Sequence, residues 1–381
     1  MTEKINAAID CGAGTTKIRI GTRRKSHTIS MPSLVSVVSK SSATEGATDI
    51  YSPAAFSLID GEKEIFYFAG DIVRAKGLPS DDVFSEPILK VTNARKLVLA
   101  ALIEGMNLNK GQSLEVSAIA SHHDPMNFSD QIREALVGTH IVRKGNNTFK
   151  ITISMPIRAV YPEGSAISEA FGEETPKEFG VLDLGFLTAL WSTKFKEGTG
   201  IKSTKAPYGV GRLVEMLQDS SEFSKLLAGI QPERDVLIAS LIEACQSKSL
   251  KVFYRSRGKA IDFTSIYKPI AMQWLKGAAR SAVQTANEKK GTGFRVVAIG
   301  GGVNLPSISN ILAKFGIESY SELNPDSQDA IFANVETLYL KHKSLLFNLE
   351  PELKLVPEND LKLVSADDAS CQDDLEVADN A

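Results

Sequence analysis

Cysteine is scarce. Cys11, Cys245 and Cys371 are the only three in 381 residues; they lie far apart with no CxxC, so neither a disulfide framework nor a zinc site is indicated. No apolar run reaches the roughly 18 residues that a membrane span requires. The start, MTEKINAAID, lacks the basic segment and long apolar stretch of a secretory signal. Charge of one sign is lacking too. Lys and Arg number 43 against 46 Asp and Glu, for a formal net charge of −3, which argues against a protein whose main task is coating nucleic acid. What remains is ordinary globular usage, 43% hydrophobic and 23% charged. At roughly 150 residues per domain the length predicts two or three domains, large enough to bury a core without staples. The expectation is a soluble, cytoplasmic, multi-domain chain.

The apolar run at 5–10, INAAID, and the alternating stretch at 17–20 predict two strands joined by a tight turn over 11–16. Residues 64–68 and 114–120 read as further strands, the second mostly apolar and hence buried on both faces. Helical spacing of Leu97, Ala100, Ala101 and Glu104 predicts a helix over 93–104, stopped by Gly105. A shorter amphipathic helix is predicted over 128–137. Near 172–180 a polar, Pro-containing stretch yields to the apolar run GVLDL, and the main boundary is placed there, with residues 164–171 as a helical hinge. Beyond it, helical patterns cover 210–228, 232–246, 264–289 and 305–315, and an apolar strand at 294–299 precedes three glycines. From about Glu352 the chain turns acidic, with Asp360, Asp367, Asp368, Asp373, Asp374, Glu376 and Asp379 among small residues. That composition predicts a solvated, disordered tail.

One motif occurs twice. Asp-x-Gly-x-x-Thr stands at Asp10, Gly12 and Thr15, with Ala13 and Gly14 between, and again at Asp183, Gly185 and Thr188. Each copy follows an apolar strand and precedes another. Tight turns of small residues let several backbone N–H groups point at one anion, and Thr15, Thr16 and Thr188 add hydroxyls. An aspartate at a strand end cannot bind phosphate, but it can hold the water shell of Mg²⁺, which keeps several waters and one or two carboxylates. Two such hairpins facing across a cleft would clamp one polyphosphate, with Lys17 neutralising its charge. A third element, Gly300, Gly301, Gly302 and Val303, follows the strand at 294–299 and permits close backbone approach to a flat ligand such as adenosine. Gly209 and Gly211 open the helix at 210–228 and offer a helix N-terminus to the same cleft.

These residues resemble the actin, heat-shock chaperone and sugar-kinase superfamily, and within it the ParM/StbA group of bacterial and plasmid actin-like ATPases. Tyr161-Pro162-Glu163-Gly164 resembles the group's element before the inter-domain helix, residues 146–153 its preceding hairpin, and residues 324–330 with Ala333-Asn334 the start of its C-terminal helix. The resemblance runs from about residue 5 to 345. It implies an α/β, actin-like (ribonuclease H-like duplicated) two-domain fold with a nucleotide cleft. Domain I would comprise 1–172 plus 323–350, domain II 173–322, with 351–381 as tail. It also implies ATP, with GTP as the alternative, and Mg²⁺. Glu163 would orient the attacking water, Asp10 and Asp183 would hold Mg²⁺ through water, and Gly300–Gly302 would contact adenosine. Self-assembly into filaments, a DNA-bound adaptor and a role in plasmid segregation are implied, without direct contact to nucleic acid or membrane. Phe186 and Leu187 stand where the group has small residues. The alternatives are a small-molecule kinase of the same superfamily and a weakly hydrolysing nucleotide-binding adaptor.

Other residues have plainer readings. His122 and His123, taken as strand neighbours pointing to opposite faces, are assigned to a turn or cleft edge. Arg23, Arg24 and Lys25 read as a solvated hairpin tip, and Arg255, Arg257 and Lys259 as one exposed strand face. Trp191 and Trp274 are assigned to the core, and Cys11 is read as a small buried residue.

Overall fold

The structure is a computed structural model that describes residues 2–22, 25–42, 55–80, 88–106, 112–167, 178–195, 202–256, 258–323 and 329–347. Its first half contributes β1 (Thr2–Cys11), β2 (Thr15–Gly21), β3 (Ser26–Pro32), β4 (Val35–Val38), β5 (Ala55–Asp60), β6 (Lys63–Ala69), β7 (Ser113–His122), β8 (Gly138–Lys144), β9 (Asn147–Ser154) and β10 (Val160–Pro162). The second contributes β11 (Glu178–Leu184), β12 (Ala189–Phe195), β13 (Lys202–Ala206), the hairpin β14 (Phe253–Ser256) and β15 (Lys259–Asp262), then β16 (Arg295–Ile299) and β17 (Ile317–Ser319).

The halves repeat one topology. In the first, β3, β2 and β1 are antiparallel neighbours, and β7 lies parallel to β1 with β10 parallel beyond it. In the second, β13, β12 and β11 are antiparallel, and β16 and β17 follow in parallel. The register repeats as well: Asp10 pairs with Lys17 as Asp183 pairs with Leu190. β7 differs from its counterpart by also pairing, through Ser113–Ser117, with β9. Among the described residues this fuses the first half into a ten-stranded sheet of order β3-β2-β1-β7-β9-β8-β5-β6-β4, with β10 off that path.

Burial explains the sequence texture. β1 is central, so Ile5, Ala7, Ala8 and Ile9 are all buried, with Asn6 buried among them, and this part of the strand reads as apolar on both faces. The helix Leu89–Gly105 packs on β1, β2 and β3 and on the helix Pro125–Leu136. It is buried nearly all round, Lys90 and Asn93 included, because it is covered on several sides. Helix Ala333–Phe347, late in the chain, packs on β1, β2 and β7 of the first half, where Val335, Leu338 and Tyr339 join the core. The second core gathers around Trp274, Tyr267, Phe223 and Phe263.

Several expectations are adjusted. The hinge helix is absent over Gly164–Ala166, which form turns; residues 168–171 lie outside the described residues, as do 172–177, Arg23, Arg24, Arg257 and the acidic tail. Arg255 and Lys259 sit on opposite strands of a hairpin rather than on one strand face, and Arg255 is paired with the Glu243 carboxylate. β7 ends at His122, so strand alternation stops applying there, and the His122 and His123 rings lie with centroids 4.2 Å apart and planes tilted by 37° instead of pointing away from each other.

Candidate functional site

Both motif aspartates stand where a central strand gives way to a turn. Asp10 ends its buried run on β1 and is 4% exposed. Lys17, its partner across β2, donates from Nζ to Asp10 Oδ2 at 3.0 Å. The turn between them is held from below by Ser33, a residue no motif pointed to. Its N–H donates to the Gly14 carbonyl (3.2 Å) and its hydroxyl to the Gly12 carbonyl (2.6 Å). The Thr16 hydroxyl donates in turn to Ser33 Oγ at 2.9 Å. Thr16 is therefore fully buried as a brace of the hairpin, and Ala13 is buried beside it.

The second hairpin is closed by the Gly185 N–H on the Thr188 carbonyl (3.0 Å). Its outer side is docked by the helix Val210–Gln218. The Val210 N–H donates to Gly185 O (3.0 Å) and the Gly211 N–H to Phe186 O (2.8 Å). The first amides of this helix thus hold the hairpin, and Gly209 and Gly211 allow the close approach that this needs. Trp274, with no exposed surface, anchors the same turn by donating Nε1–H to the Tyr208 and Gly209 carbonyls (2.9 and 3.0 Å).

The two hairpins meet. A Cβ built on Gly14 would lie 3.2 Å from Phe186 Cβ, and one on Gly211 would lie 3.2 Å from Phe186 Cε1. The ring therefore spans from the first hairpin to the helix start behind the second. The glycine-rich element closes on the same place from β16. Gly300 has φ 89° and ψ 165°, a region open essentially to glycine alone, and any side chain there would run into Asp183 Oδ1. Gly302 and Val303 are buried against the second hairpin's strand, and Gly301 is half-buried beside Ile331.

Glu163 follows β10. Its backbone is pinned by its N–H on His122 O (3.2 Å) and by the Gly164 N–H on Asn334 Oδ1 (2.9 Å). Asn334 donates in turn to Ser121 Oγ at 2.7 Å, tying the late helix to the strand beside Asp10. The Glu163 carboxylate lies 3.7 Å from Lys90 Nζ. Lys90 escaped the sequence reading because it belongs to no motif.

Five charged side chains from separate elements, Asp10, Lys17, Lys90, Glu163 and Asp183, thus share one field. Burial, then the Glu163 charge and more weakly Asp10, pushes the Asp183 carboxyl up to about 7, against the pull of Lys17 and Lys90. Burial draws Lys17 down, but the charge and hydrogen bond of Asp10, then Asp183 and Glu163, carry it above its ordinary value. Cys11 is pushed up to about 12 by burial and by Asp10, so its thiol stays protonated and unreactive. The predicted residues Asp10, Lys17, Glu163, Asp183 and Gly300 are brought together. Thr15 and Thr188 sit half-buried at the hairpin ends.

No protein-family model matches the chain, and no curated protein matches it. Solved structures do. Bacillus thuringiensis ParM with ATP aligns over 91% of this chain and 100% of its own, with 14% identity and a TM-score of 0.60. A Bacillus thuringiensis ParM hybrid protein with ADP, containing two ParM mutants, aligns over 90% of this chain, which spans 49% of the hybrid, with 13% identity and a TM-score of 0.64. Ta0583, an archaeal actin homolog, aligns over 89% of this chain and 99% of its own, with 18% identity and a TM-score of 0.60. Among the described residues no helix is long and apolar enough to cross a membrane. The duplicated topology, the facing hairpins and these alignments together give the chain an actin-like, two-domain α/β fold of the ParM type.

Proposed function

We propose that the chain is an actin-like ATPase that binds ATP between its two halves, hydrolyses it and assembles into nucleotide-dependent filaments. One observation carries this reading: the two copies of the motif face each other, and their aspartates share one charge cluster with Lys17 and Glu163. The triphosphate lies between the hairpins, met by the amides of 12–15 and 186–188. Lys17 exchanges Asp10 for phosphate oxygens, and Gly300–Val303 pack against the nucleoside. Glu163 orients a water in line with the γ-phosphate, a reaction that needs positioning and charge stabilisation more than covalent chemistry. That similar structures carry ATP and ADP in their names supports the choice of nucleotide, with GTP as the alternative.

The residues also fit Mg²⁺. Asp10 and Asp183 offer hard oxygens, and the burial and neighbouring Glu163 and Asp10 charges that raise Asp183 are what a divalent cation offsets. Bound through water to these two, Mg²⁺ would supply neutralisation of the phosphate charge.

By resemblance, the assembled filament moves DNA in the cytoplasm through a DNA-bound adaptor. The test is phosphate release and sedimentation of the full-length protein with MgATP, MgGTP and no nucleotide. Triphosphate-dependent pelleting with phosphate release supports the proposal. Hydrolysis without assembly removes the filament, and neither removes the ATPase.

A further inference from the structure

Lys90 is the second residue of the helix Leu89–Gly105 and is 8% exposed. Both circumstances disfavour a lysine. Burying an ammonium is costly unless it is paired, and the N-terminal turn of a helix repels cations. What offsets them is the cleft. Lys90 Nζ lies 3.7 Å from Glu163 Oε1, whose side chain is itself 11% exposed, and it acts electrostatically on Asp183 and Cys11. At that distance the pair is a charge contact rather than a tight hydrogen bond, so it aims the carboxylate without occupying it. Lys17, with its side chain 12% exposed, is hydrogen-bonded to Asp10. The backbone around Glu163 is fixed by His122 and Asn334, and neither of those bonds sets where the carboxylate points.

We infer that Lys90 is a positioning residue: it holds the Glu163 carboxylate directed into the cleft, so that the water it orients meets the γ-phosphate in line. The inference rests on the ATPase reading above. It assigns to a helix outside the phosphate motifs a part in the hydrolytic step and none in nucleotide binding.

The experiment is steady-state ATP hydrolysis by full-length Lys90→Met, Lys90→Arg, Glu163→Gln and the double variant Lys90→Met/Glu163→Gln, with nucleotide affinity measured by a fluorescent ATP analogue. Methionine keeps the length and packing of the side chain and removes its charge. The expected result is a loss of kcat in Lys90→Met of about a hundredfold, the size of effect a misplaced catalytic group produces. KM and analogue affinity should stay within about threefold. Lys90→Arg should recover most of the rate, and the double variant should be no slower than Glu163→Gln alone, since the two act as one unit. Four results would overturn it: an unchanged kcat in Lys90→Met, a loss confined to KM, a double variant slowed by the product of the single effects, or no recovery in Lys90→Arg. If Lys90→Met does not fold, Lys90→Gln replaces it, and failure of both to fold makes the residue structural and also overturns the inference. A wild-type protein that hydrolyses no nucleotide brings down the ATPase reading itself; a working wild type with an equally active Lys90→Met brings down only this inference.

Discussion

Phe186 rests against Gly14: the side chain of the second motif hairpin fills the space that a side chain on the first would need, with 3.2 Å between Phe186 Cβ and a Cβ built on Gly14. This contact joins the two halves across the cleft. On the proposed reading a triphosphate held by both turns would displace it, which would make this bulky residue a gate on entry. Phe186→Ala should raise the ATP association rate about tenfold, since binding that waits on a conformational change is slow. Stopped-flow fluorescence with an ATP analogue checks this, and an unchanged rate would show that the ring does not obstruct the site.

Gly300 is held at φ 89° and ψ 165° directly against Asp183. Gly300→Ala therefore combines a backbone penalty of about 1–3 kcal/mol with displacement of the Asp183 carboxylate. The expected outcome is a lower melting temperature together with loss of magnesium-dependent nucleotide binding. Thermal melts with and without MgATP would show the stabilisation by ligand disappearing in the variant.

The acid strength of Asp183 gives a stability prediction for the nucleotide-free protein. Its carboxyl titrates at about 7 in the folded chain against an ordinary 3.8, so between those values the folded chain holds a proton that the unfolded chain has released. The group's contribution is fully present below about pH 4 and is lost as pH rises through 7. Asp183→Asn should accordingly melt higher than wild type at pH 8, with the gap closing toward pH 5. Because Asp183 is partly exposed, solvent screening reduces the effect to about 1–2 kcal/mol, a few degrees in Tm. Melting curves across pH 5–8 measure it, and a gap of the opposite sign would refute the assignment.

Much of this architecture was legible in the sequence because the duplication leaves short, rigid signals. Asp10 and Asp183 each end an apolar strand and open a turn of small residues, and the strands on both sides of each turn form as expected. Helix ends were harder to read. The pattern over 264–289 predicts one helix, but the chain breaks at Ala279 into Thr264–Ala278 and Arg280–Glu288. The pattern over 210–228 is likewise interrupted, where Ser220 caps a new helix by accepting from the Phe223 N–H. Helix Pro125–Leu136 starts three residues before its predicted position, at an Asp124-Pro125 cap that the apolar periodicity does not register. Ser33 and Lys90 are single polar residues made relevant by long-range packing, and no local spacing marks them; Asn334 is marked in the sequence only as part of the resemblance at the start of the late helix, not as the anchor of Gly164. The fusion of the first half into one ten-stranded sheet depends on a five-residue parallel pairing between β7 and β9, for which neither strand carries a signature.

The decisive measurement is calorimetric titration of MgATP into the nucleotide-free, full-length protein and into Lys17→Ala and Asp183→Ala, which remove one charged group from each hairpin. One nucleotide should bind per chain, with affinity reduced about tenfold or more in each variant, as expected when a charge-assisted contact is lost from either side. Absence of heat with both ATP and GTP, or binding indifferent to both substitutions, would contradict it.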